Sequence, residues 1–188
     1  FSSAKTTFFA GADLKGVLAL REQDAPQAFA SLETLKHAFR RIETLGKPVV
    51  ALLQGAALGG GWELAVVAHA RFALNQPKIS FGLPEVSLGL IPGATGITKM
   101  TRLLGLSGAQ PYLMEGKLFS PHKALELGLV CRAGTSHKHT FAYHAQCESV
   151  DSALIRFGNE IGHARHVPES AQGGGCPLTI CARGCRSR

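Results

Sequence analysis

The stretch Lys47–Glu63, KPVVALLQGAALGGGWE, restricts the fold more than any other part of the chain. Val49–Leu53 is an unbroken apolar run after Pro48, which suits a strand covered on both faces better than an alternating, half-exposed one. Gly55 breaks the run. Gly59, Gly60 and Gly61 then allow backbone to approach a ligand with no side chain in the way. The residues that follow, Trp62–His69, are apolar and helix-compatible, so the glycines are expected at a helix N-terminus. Free N–H groups and the positive end of the helix dipole converge there. Such a place can stabilise an oxyanion, and Glu63 lies in the first turn beside it. Glycines before a helix and an acid in its first turn also occur without any chemistry, so both readings stand on this stretch alone. No Gly-Lys-Ser/Thr follows, which excludes a phosphate-binding loop of the Walker type, and the dinucleotide pattern GxGxxG is absent.

A chain of 188 residues with 45% apolar and 18% charged residues has the length and composition of one globular domain with a real core. No apolar run approaches the ~18–20 residues needed to span a bilayer, and no signal peptide is visible. The sequence opens on Phe1 and enters a strand-like run at once, so its N-terminus reads as truncated. The formal charge of +7 suits a phosphate-bearing ligand. It is diffuse, without the basic–aromatic stripe of a nucleic-acid binder.

Thr6–Ala10 is read as the end of a strand and Gly11–Gly16 as the turn after it. That turn is either an ordinary strand-to-helix connection or a second place where a backbone N–H faces a ligand. Over residues 24–45, Phe29, Leu32, Leu35, Phe39, Ile42 and Leu45 recur at helical spacing. This predicts a helix capped by Asp24, with Pro26 in its first turn and the apolar stripe in the core. A short strand is expected at Ala70–Leu74, a turn at Asn75–Pro77 and an extended piece at Lys78–Phe81. Glu85 follows Pro84 in a segment dense in glycine and apolar residues. Burial there would raise its pKa toward the range useful for acid–base work; a plain capping role fits too. Helices are expected over Ala94–Leu104 and Ser107–Glu115, broken at Gly105. Another runs over Pro121–Leu127, capped by Ser120 and closed by Gly128. A strand would begin at Leu129-Val130.

AGADLK (10–15), KPVVALLQGAALGGGWELA (47–65), FGLPEVSLGLIPGATG (81–96), TRLLG (101–105) and FSPHKALELGLV (119–130) occur in this order and at compatible spacing. Together they resemble the crotonase superfamily of enoyl-CoA hydratases and isomerases. They look most like the hydratase part of multifunctional fatty-acid β-oxidation proteins, in which a 3-hydroxyacyl-CoA dehydrogenase domain follows. The resemblance covers about residues 4–130. It implies an α/β fold of the crotonase type, a spiral of β-β-α turns, in a partial domain over 1–130. It also implies an oxyanion hole from the Ala12 and Gly60 N–H groups, and Glu63 and Glu85 as paired catalytic carboxylates. Glu85 would deliver a proton to C2 of a 2-enoyl thioester and Glu63 would activate the water that attacks C3. Ala10, Gly11, Asp13, Leu14, Lys15, Gly59 and Gly93 would line the substrate, with Lys15 near the coenzyme A phosphates and Gly93 near the water.

The chemistry is coherent. Adding water to a conjugated thioester places negative charge on its carbonyl oxygen, and losing one oxyanion donor typically costs about 3–4 kcal/mol in barrier. No metal or redox cofactor is needed, coenzyme A being part of the substrate. Double-bond isomerisation needs the same oxyanion hole and a proton shuttle, and a non-catalytic acyl-CoA-binding remnant is the alternative outside enzymology. Intact relatives would form homo-oligomers or a β-oxidation complex. They would be cytoplasmic in a bacterium, and mitochondrial or peroxisomal in a eukaryote.

Residues 131–188 depart from this pattern. All five cysteines and five of the eight histidines lie after residue 130, at spacings that form neither a convincing disulfide framework nor a zinc site. The break predicts an atypical tail, out of frame or disordered, rather than a metal-binding extension. The other reading frames of the coding DNA test this: the idea fails if neither encodes an amphipathic helical sequence after Val130.

Overall fold

A computed structural model describes residues 1–11 and 13–135. Among the described residues, five parallel strand segments and five α-helices are interspersed. Strands β1 (Val50–Leu53), β3 (Ala70–Leu74) and β5 (Arg132–Gly134) form one sheet in the order β1-β3-β5, with Val50 opposite Ala70 and Phe72 opposite Arg132. The two-residue strands β2 (Ala57–Leu58) and β4 (Phe81–Gly82) form a second sheet, with Ala57 opposite Phe81. Successive turns of chain thus add one strand to each sheet, and α3 (Gly60–Val67) crosses between turns. This is an α/β spiral of β-β-α units. β5 lies beyond residue 130 and continues the first sheet; the rest of the cysteine- and histidine-rich tail, from residue 136, falls outside the described residues.

The core forms where the sheets and α3 meet. Trp62 is fully buried, stacked on Phe81 with ring centroids 5.3 Å apart and edge-on to Phe119 at 5.1 Å, and its indole N–H donates to Met100 Sδ at 3.2 Å. A buried indole with its one donor satisfied gives large apolar area without an orphaned polar group. Arg71, also buried, ties β3 to the far end of the chain: its guanidinium donates to the Leu129 and Ala68 carbonyls at 2.5 and 2.6 Å.

Most local expectations hold, with informative exceptions. β3 has the predicted bounds, and α4 (Gly96–Met114) is interrupted at Gly105, where φ is 73°. α5 (Pro121–Glu126) is capped by Ser120, whose hydroxyl accepts from the Lys123 N–H at 3.1 Å. The strand expected at Thr6–Ala10 is reduced to a single bridge between Phe9 and Ala57, because residues 4–8 bend. The turn expected at Gly11–Gly16 instead runs into helix α1 (Leu14–Leu18), started by Asp13, whose Oδ1 accepts from the Lys15 N–H at 3.0 Å. Asp24 does not cap α2 (Ala25–Glu43). Its carboxylate turns back to accept from the Arg21 N–H at 2.9 Å, closing a short 3₁₀ turn before the helix. Leu129 and Val130 are buried yet not in a strand, since both N–H groups still point to the Ala124 carbonyl at the end of α5.

The largest difference is in α2. Only Phe39 of the apolar stripe is buried, while Phe29, Leu35 and Leu45 are 65, 40 and 58% exposed. Periodicity reports that a helix has an apolar side; it does not report what covers that side. At its C-terminal end α2 is held by Lys99 of α4, which donates to Glu43.

Candidate active site

The N-terminus of α3 is built by close backbone approach. Gly59, just before the helix, has φ 54°, and a Cβ there would lie 2.8 Å from Glu85 Oε1. The positive φ favours glycine, and the missing side chain leaves room for the Glu85 carboxylate. A Cβ on Gly61 would lie 1.9 Å from the Phe9 carbonyl oxygen, so Gly61 admits the N-terminal segment rather than a ligand. Phe9 in turn accepts from the Leu58 N–H at 3.0 Å. This brings Gly11 against Leu58 and Gly59. Gly60, the first residue of α3, faces open space, with nothing within 4 Å of a Cβ built there. The first N–H groups of a helix lack intrahelical acceptors, so Gly60 carries such a donor with no side chain to crowd it.

Two carboxylates meet at this end of α3. Glu63 is 3% exposed, and its Oε1 accepts from the N–H groups of Ala94, Thr95 and Gly96 at 3.0, 2.8 and 2.7 Å. Glu85 stands in the 3₁₀ turn Pro84–Leu88, with its carboxylate against Gly59. Its Oε2 is buried and has no hydrogen-bond partner among the described residues. Burial raises the Glu85 pKa above its ordinary value of 4.5; its own backbone N–H pulls the other way, and the negative charge of Glu63 adds to the rise. A carboxyl that holds its proton more tightly than usual beside another carboxylate is an arrangement suited to acid–base work.

The remaining residues singled out in the sequence spread around this centre. Ala10, Asp13 and Lys15 are exposed on the segment leading into α1, where Asp13 serves as a helix cap; Leu14 is the first residue of that helix. Ala12 lies outside the described residues. Gly93 packs against α2, with both Leu32 methyls 3.3 Å from where its Cβ would stand. The donors of Ala94–Gly96 were missed by sequence reasoning, because a main-chain N–H carries no residue signature; the glycine-rich IPGATG before a helical run is the only hint. Among the described residues no helix is long and apolar enough to cross a membrane.

An α/β spiral with two carboxylates beside a glycine-lined helix start defines a class of acid–base site. The family model described as enoyl-CoA hydratase/isomerase matches residues 1–147, and the chain belongs to that family. It is 41% identical over 129 residues to the fatty acid oxidation complex subunit alpha of Shewanella oneidensis, a match that covers 69% of this chain and 18% of that protein. The corresponding subunit of Shewanella halifaxensis is 42% identical over 131 residues, with the same coverage. The chain thus spans less than a fifth of the length of these relatives. Among solved structures, the enoyl-CoA hydratase of Thermoplasma volcanium superposes with a TM-score of 0.77 at 27% identity, covering 89% of this chain and 66% of that one. The enoyl-CoA hydratase of Bacillus anthracis gives 0.75 at 31% identity, covering 89% and 65%. The crotonase fold read from the sequence motifs is the fold of the described residues.

Proposed function

We propose that this chain carries the site for hydration of 2-enoyl-CoA to 3-hydroxyacyl-CoA in fatty-acid β-oxidation. The observation that carries the proposal is the pair of glutamates in unlike settings, Glu63 in the first turn of α3 and Glu85 against Gly59. Glu85, with its pKa raised, is the group that delivers a proton to C2. Glu63, whose Oε1 is taken up by three N–H donors, activates water through its other oxygen for attack at C3. The Gly60 N–H, at the start of α3 where a Cβ would meet nothing within 4 Å, receives the thioester oxygen as charge develops on it, with the Ala12 N–H as the second donor. Preorganised donors of this kind act where charge appears in the transition state. The scheme uses main-chain donors and two carboxylates, with coenzyme A as part of the substrate. The names of the similar structures support enoyl-CoA hydration, and that of the Shewanella subunits supports a place in fatty-acid oxidation.

The test is loss of the conjugated thioester absorbance of crotonyl-CoA, followed with the full chain and with Glu63→Gln and Glu85→Gln. Glutamine keeps an oxygen acceptor for the three N–H groups at residue 63, so folding should survive. Each change should lower kcat by about 100-fold or more, the usual worth of a positioned acid or base, while thioester binding largely persists. Unchanged rates would sink the assignment of the two glutamates. Conversion of a 3-enoyl-CoA without hydration would favour isomerisation, and binding without turnover a non-catalytic role.

A further inference from the structure

We propose that Thr95 and Gly96 are positioning residues for Glu63, an inference that rests on the hydratase reading. Among the described residues, every hydrogen bond to the Glu63 carboxylate comes from the turn Ala94–Gly96, and all three converge on Oε1. Only Oε2 is left for chemistry. The Thr95 hydroxyl also donates to the Glu63 main-chain carbonyl at 3.3 Å, so one residue grips both the side chain and its helix.

Gly96 is there for space. Its backbone is not among the positive-φ glycines, and alanine is the better helix former. Yet a Cβ at residue 96 would lie 3.0 Å from Glu63 Oε1, 2.9 Å from Leu83 Cδ1 and 2.9 Å from Pro92 Cβ. Leu83 stands two residues before Glu85. The missing methyl therefore lets the start of α4 close on Glu63 and pack against the segment that bears the second carboxylate. A methyl there pushes Glu63 Oε1 off its donors and swings Oε2 away from the water position.

The experiment pairs kinetics with amide hydrogen exchange on the full chain. In Gly96→Ala, the Ala94 and Thr95 amides should lose protection, because their acceptor has moved. Crotonyl-CoA hydration should fall about 10- to 100-fold in kcat, the scale of a misplacement near 1 Å, with KM unchanged. Exchange of the C2 protons of butyryl-CoA with solvent D2O uses Glu85 and the oxyanion donors but no attacking water, and should stay near wild type. Thr95→Val should lower kcat several-fold at constant KM, and Thr95→Ser should restore it; this series decides the matter if Gly96→Ala does not fold. Equal losses of hydration and C2 exchange would mark a general packing position and overturn the proposal, as would unchanged amide protection or unchanged kcat. A wild-type chain that fails to hydrate crotonyl-CoA would instead overturn the hydratase reading, while amide protection still decides whether Gly96 sets the position of Glu63.

Discussion

Glu63 and Glu85 are the same side chain in two electrical settings, and the difference makes a prediction about stability. The folded state raises the Glu85 pKa, first through burial and then through the charge of Glu63. Native Glu85 therefore holds its proton at pH values where the unfolded chain has lost it. Stability is full below the ordinary pKa of 4.5 and declines as pH rises through the raised value, since there the native state binds more protons than the unfolded one. Glu85→Gln cannot ionise, so its stability relative to wild type should grow from pH 4.5 toward neutrality and level off above the folded pKa. Chemical denaturation at a series of pH values reads this directly; a pH-independent difference would mean that Glu85 is not desolvated. The sequence foreshadowed this setting through Pro84 and the apolar residues around Glu85. It was silent on the anchoring of Glu63, because the three donors are peptide groups 31 to 33 positions away.

At the scale of elements, strong local signals were legible and weak ones were not. Ala70–Leu74 is apolar apart from Arg71 and is followed by the turn residues Asn75–Pro77, and Ser120-Pro121 with Gly128 marks both ends of a helix, so β3 and α5 could be read. β2 and β4 have two residues each and exist only because parallel partners from the next turn lie beside them; no pattern that short has a period. The glycines show a similar division. Gly59, Gly60 and Gly61 look alike in sequence, but only Gly60 faces open space. Gly61→Ala would drive a methyl into the Phe9 backbone and displace the N-terminal segment, releasing buried Phe8. The loss should be about 2–3 kcal/mol, the worth of burying such a side chain, with new proteolytic cleavage within residues 1–11. Gly60→Ala should leave denaturation almost unchanged and lower turnover instead, because its methyl enters the space assigned to the thioester oxygen. Reversal of these two outcomes would mean that the chain, not the ligand, occupies the room in front of Gly60.

For the whole molecule, the ordered motifs revealed the family and the spiral, while the fate of the α2 stripe was not legible. Phe29, Leu35 and Leu45 recur as a core helix would require and nevertheless stand exposed, since a helical period fixes a side and not its neighbour. Charge is a property at the same scale. The formal net charge of +7 is spread along the sequence, and Lys15 lies exposed on the segment expected to follow the coenzyme A phosphates. A positive field attracts a multiply charged anion over several ångströms and is damped as the screening length falls from about 14 Å at ~50 mM salt to about 6 Å at ~300 mM. In the proposed reaction the glutamates act at contact distance, and the burial of Glu63 and of Glu85 Oε2 places them where salt screens much less. KM for crotonyl-CoA should therefore rise several-fold over that range while kcat holds. Lys15→Ala should reduce the salt dependence without abolishing it, because the rest of the charge remains. A parallel fall of kcat and kcat/KM would place the salt effect on the fold or the carboxylates. A flat KM would mean that the phosphates are held by direct contacts and that the diffuse charge plays no part in capture.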